Sequence, residues 1–235
     1  MPPRSTVRRG DAFAALAKLK PGTVDLLFTD PPYAARCHEG HDAGAKSAKG
    51  GRKAIAFDSL TPGQAAHAAE LFDRVCRGWI VVSCDHELAI AWLDAFEGMP
   101  GRYTFAPVPL VTIGGRVRLQ GDGPSSWTDW LIVSRPRTKE AAKWRTVRGA
   151  YIHTRDKAAP AGSKPLGFAH DVIRDYSNPG DLVLDPFCGT GTYGVAAINL
   201  GRTFRGIELS PKRAEAASKR IGQHSRNVTL WRKGK

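Results

Sequence analysis

Long apolar runs and closely spaced cysteines are both absent from this 235-residue sequence. No run approaches the length of a membrane-spanning helix, and the residues after Met1 lack the apolar core of a secretion signal. The four cysteines include no C-x-x-C pair, and Cys76 and Cys84 lie in apolar stretches that are typical of buried thiols. We therefore expect a soluble protein of the reducing cytoplasm, without a membrane segment.

Acidic residues are scarce relative to basic ones. The chain has 35 Lys and Arg against 22 Asp and Glu, which gives a formal net charge of +13. A balance this basic favours a polyanionic partner such as nucleic acid, although a basic surface that only serves solubility has the same composition. The length suits one α/β domain with a sizeable core, so we expect a single domain over residues 1–235.

Apolar runs typical of strands alternate with segments of helical periodicity along the chain. The pattern predicts strands at 6–9, 24–29, 79–83, 103–113, 130–134, 182–184 and 203–207. The pair 103–113 and 130–134 is expected to be antiparallel. Residues 211–221 are predicted to be helical, and 228–231 form either a last edge strand or a tail. This alternation predicts a doubly wound α/β fold, with a mostly parallel sheet and helices on both faces.

Two segments are basic and have few apolar residues. Residues 34–56, rich in glycine, alanine and lysine, predict a mobile loop that is long enough to be functional. Residues 135–162 predict an irregular connection rich in Arg and Lys. The first segment also holds candidate metal ligands, but no second ligand cluster accompanies them, so we expect no metal site. Those candidates are Cys37, His38, Glu39, His41 and Asp42.

Two short motifs each follow a predicted buried strand. Asp30-Pro31-Pro32-Tyr33 follows residues 24–29, and Asp185-Pro186-Phe187-Cys188-Gly189-Thr190-Gly191-Thr192 follows residues 182–184. Ligand sites in open α/β sheets form beyond the carboxyl ends of strands, where the strand order reverses. Two such tips can be neighbours in space while far apart in sequence. We therefore expect one site for two ligands, a flat one beside Tyr33 and a cofactor beside the glycine turn.

The glycine turn is compatible with two classes of cofactor. Residues 189–194 match G-x-G-x-x-G, and Glu208 ends the next predicted strand, as in dinucleotide-binding folds. However, Asp185 would face a pyrophosphate with like charge, whereas it would attract a sulfonium or the amino group of a methionine moiety. The pattern favours S-adenosylmethionine.

The two motifs in this order resemble the amino-directed (adenine-N6 or cytosine-N4) DNA methyltransferases that use S-adenosylmethionine. The arrangement is the permuted, beta-class-like one, in which Asp-Pro-Pro-Tyr precedes the cofactor loop, and the resemblance extends over about residues 5–222. It implies a Rossmann-like methyltransferase fold with a seven-stranded sheet and an antiparallel hairpin at one edge. It also implies a site-specific DNA methyltransferase without a metal, which acts on double-stranded DNA with the target base flipped out.

The resemblance assigns cofactor contacts by position. The loop residues Asp185, Phe187, Cys188, Gly189, Thr190, Gly191 and Thr192 would surround the methionine part. Glu208 would hold the ribose hydroxyls, and Asp11 would lie near the adenine ring, although Asp11 is also a plain helix cap. Lys164, with Ser163, matches a Lys-Pro stretch that would neutralise the methionine carboxylate. The chain departs from the family just upstream, with Ala159-Pro160-Ala161 where many members have His-Pro-Thr.

The resemblance also assigns the chemistry. Asp30 and the carbonyl of Pro31 would accept the two N–H hydrogens of the target amine, Pro31 and Pro32 would stiffen the turn, and Tyr33 would stack on the base. Asp at position 30 favours adenine N6, with cytosine N4 as the alternative. No Pro-Cys dipeptide is present, so the usual nucleophile for methylation of cytosine carbon 5 is missing. RNA as the substrate, or a non-catalytic cofactor- or DNA-binding subunit, stays open.

Basic residues in the two segments are the candidates for contacts with DNA phosphates. The residues of the first segment are Arg36, Lys46, Lys49, Arg52 and Lys53, and those of the second are Arg135, Arg137, Lys143, Arg145 and Arg148. The second segment lies where the family has its target-recognition region. That region is short here, so a homodimer would supply further surface for DNA.

Overall fold

The computed structural model describes residues 5–33, 59–116, 123–138, 146–154 and 164–233. The strands in these ranges are β1 Thr6–Arg9, β2 Val24–Thr29, β3 Cys76–Cys84, β4 Arg102–Thr104, β5 Val108–Arg116, β6 Ser126–Pro136, β7 Tyr151–Thr154, β8 Leu182–Asp185 and β9 Thr203–Glu208. The helices are α1 Ala12–Ala17, α2 Pro62–Val75, α3 His86–Glu97, α4 Leu166–Tyr176, α5 Thr192–Asn199 and α6 Pro211–Lys233.

The strands form one mixed sheet in the order β1-β9-β8-β2-β3-β6-β5-β7, and β4 also pairs with β6. The first five strands of this order, β1, β9, β8, β2 and β3, are parallel to one another. β6 runs antiparallel to β3, β4 and β5. The last strand, β7, is parallel to β5. The predicted α/β fold with an antiparallel pair of strands is therefore confirmed.

Helices cover both faces of this sheet, because successive side chains of a strand point to opposite faces. Leu26 and Phe28 of β2 belong to the apolar cluster that also contains core residues of α4, α5 and α6. Leu27 belongs to the second cluster, which contains core residues of α1, α2 and α3. A strand that is buried on both faces has a continuous apolar run, as residues 26–28 of β2 do.

The sheet has nine strands in the described residues rather than the predicted seven. The predicted strand 103–113 is two strands, β4 and β5, which pair with different parts of β6. Pro107 lies in the break and has no N–H to donate to a partner strand. The other additional strand, β7, lies inside the segment 135–162 that was predicted to be irregular. Its Tyr151 is buried while Ile152 is exposed, so only one face of this edge strand is covered.

The carboxyl-terminal residues also differ from one prediction. The edge strand considered for 228–231 is wrong, since α6 continues through these residues to Lys233. No proline follows Pro211 in this stretch, so nothing in the backbone interrupts the helical hydrogen bonds. None of the helices in the described ranges combines the length and apolar character that a bilayer crossing demands.

The strand order places the two sequence motifs side by side. Strands β2 and β8 are adjacent and parallel, with Leu26 opposite Val183 and Leu27 opposite Leu184. From β8 the chain continues through α5 to β9 on one side, and from β2 it continues through α2 to β3 on the other. This reversal is the topological switch point at which α/β sheets form ligand crevices.

Candidate active site

A buried hydrogen bond joins the ends of the two central strands. The Thr29 hydroxyl at the end of β2 donates to Asp185 Oδ1 at the end of β8, across 2.7 Å. The same oxygen accepts from the backbone N–H of Phe187 at 3.0 Å. The two motifs therefore meet in one crevice, as their positions after adjacent parallel strands predict.

The Asp30 carboxylate lies at the end of β2 beside an ammonium group. Lys164 Nζ is 3.5 Å from Asp30 Oδ1 and 2.5 Å from Oδ2 of Asp129 in β6. Lys164 also donates to the Tyr33 hydroxyl, and Nζ lies 4.9 Å from the centroid of the Tyr33 ring. Asp30 Oδ1 is shielded from solvent without a hydrogen-bond partner among the described residues, while 24% of the side chain remains exposed. The Asp30-Pro31-Pro32-Tyr33 segment thus presents an acid and an aromatic ring at the end of β2.

Burial makes two carboxyl groups of this crevice, Asp185 and Asp30, harder to ionise. Burial raises the pKa of Asp185 to about 7, although the hydrogen bonds from Thr29 and Phe187 oppose that rise. Burial also raises the pKa of Asp30, and the Lys164 ammonium opposes it. A cation beside either group would favour the ionised form.

Two tyrosines border the same acids. Burial raises the pKa of both Tyr33 and Tyr193 well above 10, and the charge of Asp30 adds to the rise in each case. Tyr193 stacks on Phe28 with ring centroids 3.8 Å apart. Its hydroxyl is buried and has no hydrogen-bond partner among the described residues. A buried hydroxyl without a partner costs free energy, so it is a candidate contact for a ligand.

The glycine loop has the backbone that its sequence predicts. Gly189 and Gly191 have φ angles of +52° and +82°, a region that L side chains rarely adopt. Gly191 immediately precedes α5. Cys188, which belongs to the same loop, is buried. A Cβ atom at Gly189 would meet no atom within 4 Å, so the backbone there borders open space. Thr190 and Thr192 face α6, where Arg220 donates to the Thr190 carbonyl at 3.4 Å and to the Thr192 hydroxyl at 3.2 Å.

Glu208 lies at the end of β9, next to this loop. Its Oε2 accepts from the N–H of Gly189 at 2.9 Å, and its Oε1 accepts from the N–H of Ser210 at 2.8 Å. Asp11 is brought to the same end of the sheet by a backbone bond of 3.0 Å from Gly10 to Glu208. The Asp11 side chain caps α1 through a 2.8 Å bond from the N–H of Ala14. Its predicted contact with adenine stays a prediction.

Several predicted DNA contacts lie away from the crevice or outside the described residues. β6 passes the crevice at Asp129 and runs antiparallel to β3. Arg135 and Arg137 therefore lie toward the amino ends of the parallel strands, away from the crevice. Arg135 and Arg137 instead stack over the ring of Tyr103, at 5.2 and 5.7 Å. Arg148 forms ion pairs with Asp175 at 2.8 Å and Asp171 at 3.5 Å. Residues Arg36, Lys46, Lys49, Arg52, Lys53, Lys143, Arg145 and Ser163 lie outside the described residues.

Sequence reasoning missed four residues of this crevice: Thr29, Ser83, Asp129 and Tyr193. Only Asp129 carried a usable signal, because it is an acidic residue directly before the apolar run 130–133 of β6. Thr29 and Ser83 read as ordinary ends of buried strands. Among the described residues, no three His, Cys, Asp or Glu side chains come together as a metal site. The metal candidates at 37–42 lie outside the described ranges.

Comparison with known proteins shows which proteins this chain resembles. Residues 118–219 match the family model for DNA methylases. This match covers less than half of the chain and agrees with the predicted resemblance to the amino-directed methyltransferases. A 65-residue stretch is 46% identical to the Type II methyltransferase M.HinfI of Haemophilus influenzae and covers 28% of this chain and 18% of that protein. The chain spans less than half the length of the curated relatives that it matches.

Solved structures share the fold of this family at low sequence identity. The crystal structure of the M1.HpyAVI–SAM complex is 22% identical, with a TM-score of 0.65 over 92% of this chain and 98% of that one. The PvuII DNA methyltransferase, which is cytosine-N4-specific, is 13% identical, with a TM-score of 0.68 over 96% and 93% of the two chains. The methyltransferase fold is thereby confirmed.

Proposed function

We propose that this chain transfers a methyl group from S-adenosylmethionine to an exocyclic amine in DNA, with adenine N6 as the target. The observation that carries the proposal is the contact between the two motifs, through the 2.7 Å bond from Thr29 to Asp185. This bond holds an acid and aromatic tip beside a glycine turn in one crevice. Direct transfer between two bound molecules requires such adjacency.

The residues beside the glycine turn fit the proposed cofactor. When bound, S-adenosylmethionine supplies the methyl group from a positively charged sulfonium. The open space at Gly189 admits a ligand close to the backbone, and α5 begins there with N–H groups that favour a carboxylate. Asp185, whose pKa burial raises to about 7, would be favoured in its ionised form by a nearby cation. Glu208 is proposed to hold the ribose hydroxyls.

The residues at the other tip fit an amine as acceptor. Asp30 and the carbonyl of Pro31 would accept the two N–H hydrogens, which favours a pyramidal nitrogen with a free lone pair. Asp30 need not be a strong base, because the amine becomes acidic only as it gains the methyl group. Tyr33 would stack on the base, and such stacking contributes about 1–3 kcal/mol. No covalent intermediate is required, so positioning accounts for the catalysis.

We further propose that the target base is flipped out of the duplex, since a paired amine cannot reach Asp30. The net charge of +13 supports a polyanionic substrate. A homodimer is proposed to extend the DNA-binding surface, and sedimentation with and without DNA would detect it.

Cytosine N4 is the second candidate target. The fold is shared with the cytosine-N4-specific PvuII enzyme, and Asp30 with Pro31 would accept the hydrogens of either amine. Single-stranded RNA is a further alternative substrate. A non-catalytic subunit is disfavoured by the presence of Asp30, Asp185 and Glu208 in one crevice.

The test is methyl transfer from tritiated S-adenosylmethionine to unmethylated DNA, followed by mass analysis of the nucleosides. We expect N6-methyladenine with the native protein. Asp30→Ala should abolish transfer with cofactor affinity retained, and Asp94→Ala, an exposed position on α3, is the matched control. N4-methylcytosine would select the second target, and preferred labelling of RNA would select the third. Cofactor binding without any methyl transfer would support the alternative of a non-catalytic subunit.

A further inference from the structure

Lys164 has neighbours that its sequence position did not predict. Its ammonium lies 2.5 Å from Asp129 Oδ2 and 3.5 Å from Asp30 Oδ1, and it donates to the Tyr33 hydroxyl. The Lys164 side chain is only 11% exposed. The described groups that Lys164 contacts thus include both the proposed catalytic acid and the ring that would stack on the base.

The pleat of the sheet builds this cluster. Asp30 follows β2, Ser83 is in β3 and Asp129 is in β6, and their neighbours Phe28, Val81 and Leu131 all belong to the cluster that α4 covers. Side chains two residues apart share a face of the sheet, so the three polar groups line the same face on adjacent strands. Lys164 immediately precedes the cap of α4 and therefore reaches over this row.

We propose that Lys164 is a positioning residue for Asp30 and that Asp129 holds Lys164 in place; the proposal rests on the methyl transfer proposed above. The shorter distance to Asp129 indicates that this carboxylate anchors the ammonium. Asp30 then has a fixed cation beside Oδ1, while the remainder of its carboxylate can meet the amine. A carboxylate that accepts two N–H hydrogens has to be ionised and correctly oriented. The Lys164 ammonium favours the ionised form of Asp30 and fixes the orientation of its carboxylate.

The charges around Asp30 explain why a cation is needed there. Burial and the Asp129 charge raise the pKa of Asp30, whereas Lys164 lowers it. The other polar groups that face Asp30 are the hydroxyls of Ser83, Tyr33 and Tyr193 and the carboxyl group of Asp185. Among the groups that affect Asp30 most strongly in the described residues, Lys164 is a cation and lowers its pKa. Its removal therefore shifts Asp30 towards the protonated form.

The experiment uses Lys164→Met, which removes the charge, and Lys164→Arg, which keeps it. Cofactor affinity is measured by calorimetry, kcat by methyl transfer, and the titration of Asp30 by ¹³C carboxyl NMR, with the signal assigned by its loss in Asp30→Asn. We expect Lys164→Met to lower kcat by about a hundredfold, as a misplacement of about 1 Å can do. The Asp30 titration and the acidic limb of the kcat profile should both move to higher pH. Lys164→Arg should restore both, and cofactor affinity should change little.

Asp129 is tested by a double-mutant cycle. If Asp129 acts through Lys164, Asp129→Asn lowers kcat on its own and adds little to the loss in Lys164→Met, because coupled residues are not additive. Additive losses would mean that Asp129 acts independently and would overturn its assigned role. Thermal unfolding of each variant distinguishes a loss of kcat from a loss of the fold. Asp129→Asn and Lys164→Met each remove one partner of the same ion pair.

Two results would overturn the role of Lys164. A large loss of cofactor affinity in Lys164→Met, with the titration of Asp30 unchanged, would assign Lys164 to the methionine carboxylate instead. An unchanged titration with unchanged kcat would remove any role. The NMR titration needs no methyl transfer, so an inactive native protein would refute the proposed function while the Lys164–Asp30 coupling is still measured.

Discussion

Thr29 donates its hydroxyl hydrogen to Asp185 across 2.7 Å, although 156 residues separate the two along the chain. Both residues are buried, at the carboxyl ends of adjacent parallel strands. The bond ties the acid that opens the glycine loop to the strand that ends at Asp30. It is therefore a direct structural link between the proposed cofactor-binding end of β8 and the proposed catalytic end of β2.

Replacement of Thr29 by Val should remove this link without a change of shape. Asp185 Oδ1 would keep only the bond from the Phe187 N–H, and loss of a buried bond to a polar partner costs about 1–3 kcal/mol. Thr29→Ser keeps the hydroxyl and is the control. Urea unfolding should show the loss for Val alone, and equal stability of the two variants would show that the bond contributes nothing.

The stability of the ligand-free protein should fall as the pH rises from about 4 to about 7, as far as Asp185 is concerned. The pKa of Asp185 is about 7 in the fold against an ordinary value of 3.8, so between these values the folded state holds a proton that the unfolded chain has released. One such group lowers the free energy of unfolding by about 1.4 kcal/mol for each pH unit in that window.

Asp185→Asn replaces the titrating carboxyl group by a neutral amide. The free energy of unfolding of this variant should therefore fall less steeply with pH than that of the native protein. Urea unfolding of both proteins at about pH 4.5 and about pH 6.5 measures the difference within the window. Acids that do not interact with Asp185 contribute equally to both proteins. The difference between the two slopes therefore reports Asp185 together with its coupled neighbours Asp30 and Glu208. Equal slopes would mean that Asp185 titrates in the fold as it does in an unfolded chain.

Gly194→Ala should destabilise the helix that follows the glycine loop. A Cβ atom at this position of α5 would lie 2.6 Å from Ile221 Cδ1 and 2.6 Å from a ring carbon of Phe204, both of which are buried. Overpacking of this kind costs about 1–3 kcal/mol. The control is Gly222→Ala in α6, where a Cβ atom would meet nothing within 4 Å. Gly222→Ala should raise the free energy of unfolding by about 0.5–1 kcal/mol. Thermal unfolding measures both variants, and a shift of both in the same direction would contradict the packing assigned to Gly194.

Neutralisation of the basic residues of segment 34–56 should weaken DNA binding and flatten its dependence on salt. Each phosphate contact contributes about −0.9 to the slope of log K against log salt. The residues to be changed together are Arg36, Lys46, Lys49, Arg52 and Lys53.

A matched set of five exposed basic residues outside that segment is the control: Arg8, Lys18, Lys20, Lys212 and Lys219. Both variants carry the same net charge, so a general electrostatic effect would change both slopes equally. Fluorescence anisotropy at several salt concentrations provides the slopes. A slope that is unchanged by the first set would exclude phosphate contacts from this segment.

Local pattern was sufficient to predict much of this protein. The apolar run at 24–29 and the alternation of strands with helical segments predicted the α/β fold, because burial on two faces leaves a local signature. The glycine turn was predictable from residues 189–191, since glycine permits the positive φ angles that Gly189 and Gly191 adopt. The expected adjacency of Asp30 and Asp185 required one more rule, that sites form at strand ends.

Pairing between distant strands decided what the sequence could not. The antiparallel pairing of β6 with β3 brings Asp129 to the crevice and places Arg135 and Arg137 toward the amino ends of the parallel strands. The packing of α4 on the sheet brings Lys164 to within 3.5 Å of Asp30, a contact that the Lys-Pro motif did not predict. Strand order and register depend on contacts between segments far apart in the chain, and no local pattern records them. The sequence by itself determined which residues stand at the strand ends, and the tertiary structure decided which of them face each other.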